Sequence, residues 1–401
     1  MSGGYELHQK LRTKTVRQLK KKDYDGAITS LYEGSRQLLE SKEQGSGCDL
    51  ACYLVDVYTQ ASKPSTQESR QRIVTLIELA KPDFWRKKVI DAAVKWSTAV
   101  TNTPAGDGFL RLSIADILSK GGEYYLSEPH YIAACSPPPG LSSASELFPP
   151  HAPKSFACMM IDWLAAHGRE AVEQNGGKGQ IEAVERVMAG AFALRGLVPL
   201  LLARSLTSSR GFLSMFVSRV ATKHPKILLP TQPNPKPFTP PGGVAAGAEV
   251  QQMYSTASSE LNFAQMALAL TSQAVDHKKR TKGAKVPDSL RDTWIGLVRQ
   301  FEKESYEEED DFFFEAMPQL SQIYFDMQPP RGQGGNFMQE MLGSLMGGGA
   351  SGGGDSSNGK SATPVTIRHA PPPRMPTVES KDETAQIVAS ASSAEDELDL
   401  D

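Results

Sequence analysis

The side chains with the most reactive chemistry in this sequence are four cysteines and seven histidines, and their spacing limits what they can do. Cys48 and Cys52 stand four residues apart on a stretch with helical periodicity, while Cys135 and Cys158 lie far along the chain. A structural zinc site takes about four ligands. No second ligand pair accompanies Cys48 and Cys52, so packed thiols are expected and no metal. The histidines, at 8, 130, 151, 167, 224, 277 and 369, are scattered, with no two at i, i+4 on one helix. There is no G-x-x-x-x-G-K-S/T phosphate loop, no G-x-G-x-x-G between strand and helix, no H-E-x-x-H and no G-x-S-x-G. These absences predict no cofactor and a chain that is not an enzyme.

Charge placement is more informative. Residues 1–22 hold seven Lys/Arg and one acid. On a helix from Tyr5 to Lys22, Lys10, Lys14, Arg17 and Lys21 fall on one face, broadly opposite Leu7, Leu11, Val16 and Leu19. That face is either a solvated helix surface or an electrostatic docking surface for an acidic partner. No aromatics interleave with it, so nucleic acid is not an expected partner. Asp49 and Asp56 are seven apart, so they share a helix face about 10 Å apart. Without a pocket such a pair suits contacts to a partner's Lys or Arg better than acid–base work. Ser46 to Asp49 also fits a capping box, with Ser46 as N-cap. The run Glu307 to Asp311 reads as the acidic start of a helix. The run His277 to Arg280 reads as a solvated loop between helices, or as a patch resembling a nuclear localisation signal.

The elements that position these groups are helices. Leu50, Tyr53, Leu54, Val57, Tyr58 and Ala61 follow i, i+3, i+4, i+7, i+8, i+11, an apolar stripe on a 3.6-residue period. Helices are predicted over about 24–42, 68–79, 84–100, 108–120, 124–134, 154–167, 180–195 and 197–222. Three more follow at 260–274, 288–306 and 311–325. Strand signals are almost absent. Short helices on short connections stack as antiparallel pairs. The fold class predicted is all-α, a right-handed α-solenoid of degenerate TPR-like helix pairs. Asp23 to Ala27 and Gly122 to Tyr125 look like entries to the second helix of a pair, and Pro129 is expected to interrupt the helix that starts near Tyr124.

Two proline-rich stretches divide the array. Residues 1–135 form one helical half, 136–153 a loop, and 154–328 a second half interrupted at 225–251. Beyond it, Phe337, Met338, Met341, Leu342, Leu345 and Met346 describe a short amphipathic helix over 336–346. It could dock on the array, bind a partner or touch a membrane. Residues 347–401 lack large apolar clusters and are expected to be a disordered tail. Its last part, Glu379 to Asp401, carries eight acids and one Lys. With a net charge of −3, nothing drives the whole chain toward nucleic acid or anionic membranes. Four cysteines are too few for a disulfide scaffold, there is no signal peptide, and no run approaches about 18 apolar residues. The expected setting is the cytosol, without stable membrane insertion.

Several segments, in order, resemble the Golgi-to-ER traffic protein 4 family of the guided-entry pathway for tail-anchored proteins. Tyr5-Glu6-Leu7-His8-Gln9 with Arg12-Thr13 is similar to the family's Y-E-A-H-Q-x-x-R-T. Gly45 to Leu50 leads into Tyr53 to Tyr58, and Gly106-Asp107-Gly108-Phe109-Leu110 resembles the family's G-D-P-x-L-H helix start. Glu260-Leu261-Asn262-Phe263, Gln322-Ile323-Tyr324-Phe325 and Asn336 to Met341 complete the series.

The resemblance implies an α-solenoid adaptor that serves insertion of tail-anchored membrane proteins into the endoplasmic reticulum. Its N-terminal half would bind the homodimeric targeting ATPase (guided-entry factor 3) in its nucleotide-bound form and restrain hydrolysis. Its C-terminal half would grip a ubiquitin-like-domain protein (guided-entry factor 5), which recruits the client-loading co-chaperone. By this carry-over His8, Arg12 and Arg17 anchor the ATPase, and Asp49 and Asp56 regulate it. Leu261, Phe263, Tyr324 and Phe325 are expected to bind the ubiquitin-like partner. Two departures set further expectations. Four residues precede Tyr5 where the family has a full helix, so the array is expected to begin one helix late. The fungal relatives' β-hairpin is not expected throughout the proline-rich stretch Pro225 to Gln251. The competing reading is a helical-repeat adaptor of another cytosolic chaperone or quality-control complex.

Overall fold

The structure, a computed structural model, describes residues 3–141, 144–239, 250–304 and 312–327. The acidic run 307–311, the methionine-rich segment 336–346 and the tail 347–401 lie outside them. The fold is all-α, as expected, and the chain divides into two compact units between Pro150 and His151, inside the first proline-rich stretch.

The N-terminal unit contains α1 (Gly3–Lys20), α2 (Tyr24–Glu40), α3 (Gln44–Gln60), α4 (Gln67–Leu79), α5 (Phe84–Thr101), α6 (Gly108–Lys120), α7 (Tyr124–Ala134) and a single turn, α8 (Ala144–Leu147). Helices α1, α3 and α5 pack side by side in one layer, α2, α4 and α6 in the other, and α7 pairs with α6. The stripe read on α3 is its core face: Leu50, Leu54, Val57 and Tyr58 are fully buried. Tyr58 meets Trp96 of α5 with ring centroids 5.2 Å apart, and the Trp96 indole N–H donates to the Lys63 carbonyl. Pro129 does not interrupt α7, which continues to Ala134. Tyr131 and Ile132 beyond it are buried, and the Tyr131 hydroxyl bonds to Asp116 of α6. That packing outweighs the donor that proline removes. Val16 is 44% exposed, so it does not join the apolar face of α1.

Asp107 is the polar node of this unit. Its side chain is fully buried and both oxygens are used. Oδ1 accepts from the Phe109 and Leu110 amides at 2.9 and 3.0 Å, capping α6. Oδ2 accepts from Ser65 Oγ and Arg70 Nη1, both at 2.8 Å. One carboxylate therefore ties the start of α6 to the start of α4.

The C-terminal unit contains α9 (Ala152–Gln174), α10 (Ile181–Leu202), α11 (Leu206–Lys223), α12 (Ser259–Arg280), α13 (Asp288–Glu304) and α14 (Phe312–Phe325). The break predicted near residue 196 does not exist. Helix α10 runs through Gly196 because Phe212 of α11 occupies the space above it: a Cβ there would lie 2.1 Å from Phe212 Cζ. Helix α12 extends to Arg280, so His277 to Arg280 form its last turn rather than a loop, with the positive charge at the favourable end of the dipole. Nor is the second proline-rich stretch only loop. Lys236–Pro237 (β1) pairs antiparallel with Gln252–Met253 (β2), and Leu228 bridges to Thr256. Side chains complete what so short a ladder lacks. The Asn234 amide donates to the Leu229 and Ser255 carbonyls and accepts from the Ser255 amide. Gln265 of α12 brackets the Tyr254 backbone in the same way.

Replacing Asp107 by Ala leaves a half-buried arginine and two helix-start amides without their acceptor and should cost roughly 3 kcal/mol. Asp107→Asn, which can still cap α6, should cost less. Urea denaturation followed by circular dichroism measures both.

Candidate functional site

On α1, Leu7, Leu11 and Leu19 pack against the core, which turns His8 and Arg12, one turn apart, toward α3. Helix α3 starts at Gln44 with Glu43 as N-cap, not at Ser46. Gln44 accepts from the Lys81 amide and so holds the extra turn in place. Asp49 is therefore not a first-turn capping acid, and its side chain meets α1. Its Oδ2 accepts from His8 Nε2 at 2.7 Å and from Arg12 Nη1 at 2.5 Å. The Arg12 guanidinium also lies over the Tyr53 ring, 5.5 Å from its centroid. Residues assigned by the resemblance to two separate contacts, His8 and Arg12 on one side and Asp49 on the other, form one cluster.

Arg17 and Asp56 do not join it. Arg17 follows Arg12 by five residues, about 140° around the helix, and is exposed on the outward basic stripe. Asp56 is exposed two turns beyond Asp49, in the field of Lys95 of α5. The two acids titrate in opposite directions. Burial alone would raise the Asp49 carboxyl, but the hydrogen bonds and charges of His8 and Arg12 outweigh it and hold it below the usual carboxylate range. Burial raises Asp56, Lys95 opposes this, and Asp49 adds to it.

Between Asp49 and Asp56 on α3 lies Cys52, half-buried, whose thiol burial pushes up to about 11. Burial likewise pushes Cys48 to about 12. Both are thiols, not thiolates, at neutral pH. Among the described residues no group of three His, Cys, Asp or Glu could hold a metal ion.

Sequence reasoning missed one feature of this surface. Phe84 and Trp85, in the first turn of α5, are 63% and 39% exposed, with Lys88 stacked over both rings. Trp85 falls at i−4 from buried Val89 and so reads as part of the core stripe. It is uncovered because the opposing turn of α3 presents Gly45, which has no side chain to lay over the ring.

In the C-terminal unit the four partner residues expected from the resemblance are core. Leu261, Phe263, Tyr324 and Phe325 are at most 3% exposed. Phe263 packs on Phe301 of α13, Phe325 stacks on Trp294, and the Tyr324 hydroxyl donates to the Leu201 carbonyl of α10. They join α12, α13 and α14 to the unit and present nothing to a partner. The exposed apolar side chains nearby are Leu229, Val250 and Met266, around β1 and β2.

The depressed Asp49 carboxyl sets a pH window. Its pairing is complete above the unfolded value of about 3.9 and is lost as pH falls through the lower folded value. A carbon-13 titration of the Asp49 carboxyl should give a midpoint below 3.9. In the His8→Ala, Arg12→Ala double variant the midpoint should rise.

The charged cluster and the helical units can be set beside known proteins. A model of the Golgi to ER traffic protein 4 family matches residues 21–346. Golgi to ER traffic protein 4 of Schizosaccharomyces pombe is 35% identical over 129 residues, 32% of this chain and 42% of that protein. The Dictyostelium discoideum homologue is 25% identical over 129 residues, again 42% of its length. The matches therefore span less than half of these relatives. The crystal structure of C. therm. Get4 superposes with a TM-score of 0.61 at 22% identity, covering 86% of this chain and 90% of that one, a likeness of fold. The match over most of the sequence shows that this chain belongs to the Golgi to ER traffic protein 4 family.

Proposed function

We propose that this protein is a non-catalytic adaptor in the delivery of tail-anchored membrane proteins to the endoplasmic reticulum. In this reading it brings a ubiquitin-like-domain protein, with its co-chaperone and client, to the homodimeric targeting ATPase, and it restrains that ATPase until the client is loaded. The cytosol is the compartment where this takes place. Among the described residues no helix is long and apolar enough to cross a membrane.

The observation that carries the reading is the α1–α3 surface. His8, Arg12, Asp49 and Asp56 share one layer of the N-terminal unit, so a single partner face could meet the cations and the acids together. Fixed charges of both signs favour a specific docking register over general stickiness. Arg17 and the rest of the basic stripe lie around α1 from the cluster and would steer an acidic partner toward it. For the ubiquitin-like protein the surface proposed is the rim of Leu229, Val250 and Met266, held in place by the buried Leu261, Phe263, Tyr324 and Phe325.

Pulldown of the full chain with the ATPase, with and without nucleotide, and with the ubiquitin-like protein tests the reading. Binding of both is expected, the ATPase more tightly with nucleotide. Failure of both at micromolar concentration removes the assignment. Asp49→Lys with Asp56→Lys should leave the circular dichroism unchanged and abolish the restraint on hydrolysis; an unaltered hydrolysis rate would show that α3 has no regulatory part. Met266→Lys should weaken the ubiquitin-like partner by about tenfold if that rim is its seat, read by calorimetry.

A further inference from the structure

We propose that Asp49 is a positioning residue: its carboxylate presets His8 and Arg12 for the partner, so the cationic and acidic contacts of the α1–α3 surface act as one coupled unit. The proposal rests on the ATPase reading above for the identity of the partner.

Asp49 Oδ2 takes a hydrogen bond from each of His8 and Arg12, so that oxygen is occupied before any partner arrives. The His8 imidazole is 12% exposed and its Nδ1 is buried without a partner among the described residues, which leaves the bond to Asp49 as its polar anchor there. Arg12 is held at two points one turn apart on α3: Nη1 on Asp49, and the guanidinium plane over Tyr53. Its remaining N–H groups donate no side-chain hydrogen bond among the described residues, and its side chain is 46% exposed.

A surface ion pair of this exposure adds little to folding stability, so stability gives no reason for the arrangement. Its effect falls on binding. A free arginine must give up rotamer freedom when a partner captures it, and this one has given it up already. Asp56 provides the contrast on the same helix. It lies two turns away, forms no ion pair among the described residues, and is available for direct contact.

A double-mutant cycle on the full chain with the nucleotide-bound ATPase decides between positioning and direct contact. Asp49→Ala should weaken binding by about tenfold in the native background and have almost no further effect once His8 and Arg12 are both alanine. Asp56→Ala should add independently to Arg12→Ala. Additivity of Asp49→Ala with the His8→Ala, Arg12→Ala pair overturns the proposal. Asp49→Asn, which keeps a carbonyl acceptor, should recover part of the loss; no recovery over alanine also counts against positioning. A second measurement needs no ATPase: the nitrogen-15 signal of the Arg12 guanidinium should show an ordered side chain in the native protein and a mobile one in Asp49→Ala. An unchanged signal overturns the clasp itself. If the native chain fails to bind the ATPase, the partner reading falls and this role falls with it, while the guanidinium signal still reports whether Asp49 restrains Arg12.

Discussion

Helix α3 is enclosed on nearly every side, and the N-terminal unit follows from that. Layer neighbours α1 and α5 flank it and α2 lies beneath, so its buried residues cover one broad face. What remains is a narrow outward strip with Asp49, Cys52, Tyr53 and Asp56. A helix buried this thoroughly cannot rotate or slide without losing contacts to several neighbours at once. Its strip is thus a rigid platform, and side chains reaching it from α1 find acceptors at fixed positions. Asp107 secures the far side of the same unit, where it caps α6 and draws in α4.

Much of this was legible in the sequence, because the period of apolar residues reports packing directly. The stripe from Leu50 to Tyr58 and the all-α class both emerge from local rules that tertiary contacts reinforce. Local rules failed where a distant residue decided the outcome. Gly196 reads as a helix break until Phe212 is known to lie on it. Pro129 reads as an interruption until Tyr131 and Ile132 are seen to be buried beyond it. Ser46 fits a capping box, but Glu43 is the N-cap.

The site was legible as a list and illegible as a geometry. His8, Arg12, Asp49 and Asp56 could be named, but residues 37 to 41 apart cannot be seen to share one oxygen without the fold. The C-terminal half illustrates the reverse. Leu261, Phe263, Tyr324 and Phe325 are aromatic or aliphatic, the types that serve interfaces and cores equally well, and only burial separates the two uses. Phe84 and Trp85 are of the same types and lie at the surface.

The Gly196–Phe212 contact has a consequence for the order of events when the chain folds. Glycine in mid-helix weakens the helix by roughly 0.5–1 kcal/mol relative to alanine, so the second half of α10 is poor at forming alone. Its missing side chain is supplied by the Phe212 ring from α11, sixteen residues further along the chain. The two helices must therefore consolidate together, as a hairpin closed by one aromatic socket.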